Sequence, residues 1–124
     1  MRTLAAILVA GALGAAVRYG LDGFVSRRTV GSFPWGTFVV NVSGAFALGL
    51  LFTAMTERWA VAPWLRSGVT IGFLGAYTTF STLALESYRL ASDRALLLAA
   101  VNVLGSCAAG LVAVYIGIVV GRAL

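Results

Sequence analysis

GFLGAYTTFSTLALES, Gly72 to Ser87, decides how this chain is read. It lies where an apolar run of roughly twenty residues, the length that crosses a bilayer, is expected. Its middle instead carries Thr78, Thr79, Ser81 and Thr82 around Phe80, with Gly72 and Gly75 just before and Glu86 near the end. Glycine weakens a helix, and hydroxyl side chains compete for its backbone hydrogen bonds. An interruption at this point would free carbonyls and N–H groups that protein, water or an ion must satisfy. Discontinuous helices of transporters use that arrangement, with unwound carbonyls holding Na⁺ and half-helix N-termini favouring anions. The stretch therefore predicts a third membrane helix broken at mid-membrane and an ion site at the break. Phe80 has two readings there. It packs, or it offers its positive ring edge to an anion that a full positive charge would hold too tightly to release.

The rest of the composition agrees with a membrane setting. Of 124 residues, 60% are hydrophobic and 10% charged, and the mean hydropathy is +0.98. A soluble domain of this size needs more polar surface. One all-α membrane domain over residues 1–124 is expected, and a soluble nucleic-acid binder is set aside. The net charge of +5 comes from nine arginines at span ends and in loops. Cys107 is the single cysteine and histidine is absent, which excludes an intrachain disulfide and Cys/His metal clusters. Cys107 is expected to pack as a small apolar side chain inside a span.

Hydropathy places the spans at residues 3–25, 34–56, 64–88 and 95–120, each long enough for about 30 Å of hydrocarbon. The opening MRTLAAILVAGALGAA has the look of a signal peptide, but continuation through Val17 towards Val25 favours a first transmembrane helix. Short polar turns join the spans. Pro34 suits the first position of the second helix, and Trp59 and Trp64 suit the headgroup level.

Orientation should follow the arginines, and they tie. Arg2, Arg58, Arg66 and Arg122 fall on one side, Arg27, Arg28, Arg89 and Arg94 on the other. Such a chain is expected to insert both ways up and to pair antiparallel. The 15 glycines favour close helix contact, including G-x-x-x-G at Gly68/Gly72 and Gly117/Gly121.

Polar residues inside spans face protein or water. Thr37, Asn41 and Gly44 share one helix face, either as glue between helices or as the lining of an ion path. Asn102, Ser106 and Gly110 recur at intervals of four, and alone they suit close packing. Arg18 and Asp22 are placed to pair along the first helix. Arg18 either snorkels to the headgroups or draws anions to a pore mouth.

Four stretches, GAAVRYGLDGF, FPWGTFVVNVSGAFALGLL, GFLGAYTTFSTLALES and NVLGSCAAGLVAVYIG, closely resemble the Fluc (CrcB) fluoride channels, in the family's order and over nearly the whole chain. The resemblance implies a fluoride channel of the cell inner (plasma) membrane that passively exports cytoplasmic fluoride. It implies an antiparallel, dual-topology homodimer in the lipid bilayer, with two pores. It implies pore residues Asn41, Phe80, Ser106, Thr37 and Thr82, a vestibule with Arg18 and Glu86, and a polar track that includes Ser81. It also implies a structural Na⁺ held by the carbonyls of Gly75 and Thr78. Three positions depart from the family's usual pattern. Leu83 stands where a second phenylalanine is usual, Asn102 where a tyrosine is frequent, and Gly110 where a small hydroxyl sometimes occurs. Pairing with a paralogous subunit is the alternative these departures leave open.

The main competing function is a small multidrug-resistance transporter, also a four-helix dual-topology protein. It needs a buried carboxylate for proton exchange, and Asp22 and Glu86 lie toward span ends. A helper subunit without selectivity is a third reading. No enzyme is expected, since no histidine or lysine stands ready to activate a serine or threonine.

Overall fold

Helix α1 covers Arg2–Ser26 and α2 covers Trp35–Arg58, its final residues Ala54–Arg58 widened to a π-helix. Helix α3 takes residues 63–77, with a π-helical middle at Gly68–Leu74. Helix α4 covers Phe80–Ser92 and α5 covers Leu96–Ala123. The computed structural model describes residues 1–124, and every regular element in it is helical. Four stretches are long and apolar enough to span a membrane: Arg2–Ser26, Trp35–Arg58, Pro63–Ser92 and Leu96–Ala123. Leucine, valine and phenylalanine side chains cover much of the outer surface, as lipid-facing helices require.

Glycine lets the backbones meet. On α5, a Cβ added at Gly117 would strike the Phe46 carbonyl of α2, and one at Gly121 would lie 2.7 Å from Leu50 O. Gly49 of α2 returns the contact against Val114 O. Gly72 seats α3 on α1, where a Cβ would come within 2.8 Å of Ile7 O. Both G-x-x-x-G pairs therefore mark close helix crossings, where dispersion and lost lipid contact drive association. Between these seams lies a small core of Val40, Leu74 and Tyr77. Phe73 stacks on Tyr77 with ring centroids 6.1 Å apart, and Tyr77 Oη lies 2.7 Å from Ser43 Oγ.

The structure corrects several local expectations. Pro34 is the residue before α2, with φ −80° and ψ 70°, and Trp35 opens the helix. The proline that occupies the first turn of a helix is Pro63. The third span runs to Ser92, four residues past the expected end, and Arg94 at φ 61° makes the turn into α5. Cys107 lies within the fourth span, but its side chain is exposed on the chain and not packed against other helices.

Candidate functional site

Two extended residues separate α3 from α4: Thr78 at φ −85°, ψ 158° and Thr79 at φ −151°, ψ 116°. Threonine suits extended backbone because its branched Cβ restricts the helical rotamers. Each threonine then secures one of the free helix ends. Thr78 Oγ1 donates to Leu74 O at 3.0 Å, closing α3. Thr79 Oγ1 accepts from Thr82 N at 3.2 Å, capping the start of α4. The remaining backbone groups look outward. Thr79 N–H does not return to Gly75 O; it donates to Asn41 Oδ1 at 2.7 Å. Thr78 O accepts no backbone hydrogen bond.

Helix α2 clamps this interruption. Asn41 Nδ2 donates to Thr79 O at 2.9 Å, so one amide side chain takes both polar groups of one backbone residue. One turn earlier, Thr37 Oγ1 donates to Glu86 Oε1 on α4 at 2.8 Å. One turn later, Gly44 leaves room for the Thr78 methyl group, which a Cβ there would strike. The predicted common face thus holds both the interruption and the helix after it: Asn41 on Thr79, Gly44 against Thr78 and Thr37 on Glu86. Glu86 Oε2 is buried without a partner.

Two cavities meet at Thr79. One, of about 130 Å³, brings together Arg18, Tyr19, Asp22, Thr37 and Thr82. The other, of about 220 Å³, is a groove between the interruption and α5. Asn41, Thr78, Phe80, Leu83, Ser106, Cys107 and Gly110 line it. Phe80 is 78% exposed there. Ser106 is 7% exposed, and its hydroxyl has no partner. The structure thus gathers Asn41, Phe80 and Ser106 in one groove, and Arg18, Thr37 and Thr82 in the next. Glu86 lines neither; it opens on a separate recess with Arg89 and Asp93.

The pairing of Arg18 with Asp22 is not formed. The only ion pair joins Arg122 to Glu57, and Asp22 Oδ1 accepts from Ser26 Oγ at 3.1 Å. Arginine placed before the acid is the weaker order along a helix, and the serine is nearer to hand. Sequence reading also passed over Thr79, common to both cavities, and Ser87, which accepts from Asn102. Thr79 had a visible signal in the hydroxyl cluster. Ser87 had none, since its role depends on a helix fifteen residues away.

A family model described as "CrcB-like protein, Camphor Resistance (CrcB)" matches residues 5–118. The chain belongs to the CrcB family. A CrcB relative from Citrifermentans bemidjiense, named "Fluoride-specific ion channel FluC", is 50% identical over 124 residues, 100% of both chains. Proteins of the same name from Geobacter sp. strain M21 and Geotalea uraniireducens are 49% and 48% identical over 124 residues, also 100% of both chains. With its four span-length apolar helices, this CrcB chain is a multi-pass membrane protein.

Proposed function

We propose that this chain is a fluoride-selective channel that lets the ion leave the cytoplasm passively. The groove carries the reading: an exposed phenylalanine ring and a buried serine hydroxyl without a partner lie in one cleft. A hydroxyl donates a hydrogen bond to a small anion, and a ring edge adds weak positive potential. None of the groove's lining residues carries a fixed charge, so the ion would be stabilised without being trapped. Relatives named as fluoride-specific channels, alike over the whole chain, support the same conclusion.

The finer architecture belongs to this proposal. Two copies in opposite orientation would form a homodimer with two pores, in keeping with the tied arginines. The threonine pair would lie at mid-membrane in the inner (plasma) membrane. Arg18 would stand in the vestibule that leads to Thr37 and Thr82, with Glu86 and Ser81 further along. A structural Na⁺ fits the interruption. Gly75 O has lost the N–H of Thr79, and Thr78 O accepts no backbone hydrogen bond; neutral carbonyl oxygens of that kind are what Na⁺ takes in broken membrane helices. The ion would supply positive charge between the two copies.

Ion efflux from liposomes tests the reading. Rapid fluoride loss with little chloride loss is the expected result, and Phe80→Ile should suppress it while the dimer persists. No fluoride flux from the protein alone would sink the homodimer. Flux restored by a paralogue would then assign the missing ring at Leu83 to a partner subunit. Replacing Na⁺ by a bulky organic cation should impair flux or assembly; indifference to the exchange would remove the metal from the proposal.

A further inference from the structure

Asn102 of α5 is 0% exposed. Its Nδ2 donates to Ser87 Oγ of α4 at 2.9 Å, and Ser87 Oγ donates in turn to Leu83 O at 2.7 Å. Its Oδ1 is buried with no partner. A buried amide with an unmet acceptor is less favourable than an apolar side chain of the same shape. Packing alone therefore does not account for asparagine here.

What the amide does is visible from α4. This helix begins after two extended residues, so the backbone does not carry the orientation of α3 across to it. Two side-chain hydrogen bonds tie it to other helices: Thr37 of α2 reaches Glu86, and Asn102 of α5 reaches Ser87. Consecutive helical residues point about 100° apart. Ties at neighbouring positions to two different helices therefore fix the rotation of α4 about its own axis. Phe80, Leu83 and Ser87 recur at helical spacing and share a face. The Asn102 tie is thus made on the face that presents Phe80 and Leu83 to the groove.

We propose that Asn102 is a positioning residue: through Ser87 it sets the rotation of α4, and so the presentation of Phe80 to the permeating ion. The inference rests on the fluoride-conduction reading. Its test compares Asn102→Leu, Ser87→Ala, the double variant and Ser87→Thr in fluoride efflux from liposomes, alongside melting of the purified dimers. Each of the first two variants should slow efflux roughly tenfold, the scale of one buried hydrogen bond. The double variant should lose no more than the worse single, because both remove one shared bond. Ser87→Thr keeps the hydroxyl and should conduct almost as wild type. Asn102→Leu should melt no lower than wild type, since it removes the unmet acceptor. Unchanged efflux in both singles would overturn the positioning role, as would independent losses that multiply, or an efflux loss explained by a lowered melting temperature. A wild-type protein that does not conduct would instead defeat the conduction reading, and this inference with it.

Discussion

Two stripes of residues are hard to tell apart as text. Thr37, Asn41 and Gly44 lie on α2; Asn102, Ser106 and Gly110 lie on α5. Each has an amide, a hydroxyl and a glycine at helical spacing. In three dimensions they are opposites. On α2 the threonine and asparagine bond to Glu86 and Thr79, and the glycine is filled by Thr78. On α5 one oxygen of Asn102 and the hydroxyl of Ser106 are buried without partners, and a Cβ added at Gly110 would meet nothing within 4 Å. An unmet buried polar atom is expensive. The α2 stripe is bonded within the chain, whereas the α5 stripe keeps one bond, from Asn102 Nδ2 to Ser87, and leaves an acceptor and a hydroxyl unmet. On the conduction reading the α2 stripe is the scaffold that holds the interruption in shape, and the Ser106 hydroxyl is the one donor on α5 left open to a permeating ion.

The contrast is broken most severely at Asn41. Asn41→Leu should strand both the N–H and the C=O of Thr79, at about 1–3 kcal/mol for each group left unpaired. The purified protein should melt at a markedly lower temperature, and fluoride efflux should vanish with it. An Asn41→Leu protein with wild-type melting would show that the clamp on Thr79 is dispensable, and the division into scaffold and site would fail.

Asn41 also shows how far the sequence could be read. The helix count, the glycine seams and the irregular stretch around Thr78 were all legible, because each depends on local composition or on spacing along one helix. Glue and ion path stood as rival readings of Asn41, and the structure puts it in the clamp and on the groove wall together. Its partner is a backbone residue 38 positions away, which no periodicity reports. The expected Arg18–Asp22 pair failed for a related reason. Spacing shows which groups can meet, but not which neighbour competes, and Ser26 took the carboxylate. Cys107 was expected to pack inside a span; it lies in the fourth span, but its side chain is exposed on the chain. Uniformly apolar helices carry no marking of which flank meets protein and which meets lipid or a second copy.

A matched pair of glycine variants sharpens the comparison at smaller cost. Gly44→Ala would drive its methyl into Thr78 and to 3.1 Å from Tyr77 Cδ1. Overpacking of that kind costs about 1–3 kcal/mol, so melting should fall. Gly110→Ala enters open space within the chain and gains up to about 1 kcal/mol of helix preference. Its melting temperature should hold or rise while efflux declines, because the methyl narrows the groove. Equal destabilisation by the two variants would mean that the α5 stripe is packed as tightly as the α2 stripe.

Ser106→Ala is the smallest change and the most discriminating. The hydroxyl has no protein partner to lose, and replacing an unsatisfied buried polar group by an apolar one is neutral or mildly stabilising. Stability should therefore stay at the wild-type level or slightly above it. If the hydroxyl serves the permeating ion, fluoride efflux should still fall, by roughly tenfold for one hydrogen bond to an anion. Thr37→Ala, its counterpart on α2, breaks an existing bond to Glu86 and should lower stability and efflux together. The two hydroxyls thus predict different signatures from one chemical deletion: function lost alone at Ser106, function lost with the fold at Thr37. Should Ser106→Ala leave efflux untouched, the open stripe would be a packing defect and the groove would lose its donor. Should it destabilise the protein, some second chain must already satisfy the hydroxyl, and the site would have to be rebuilt around that partner.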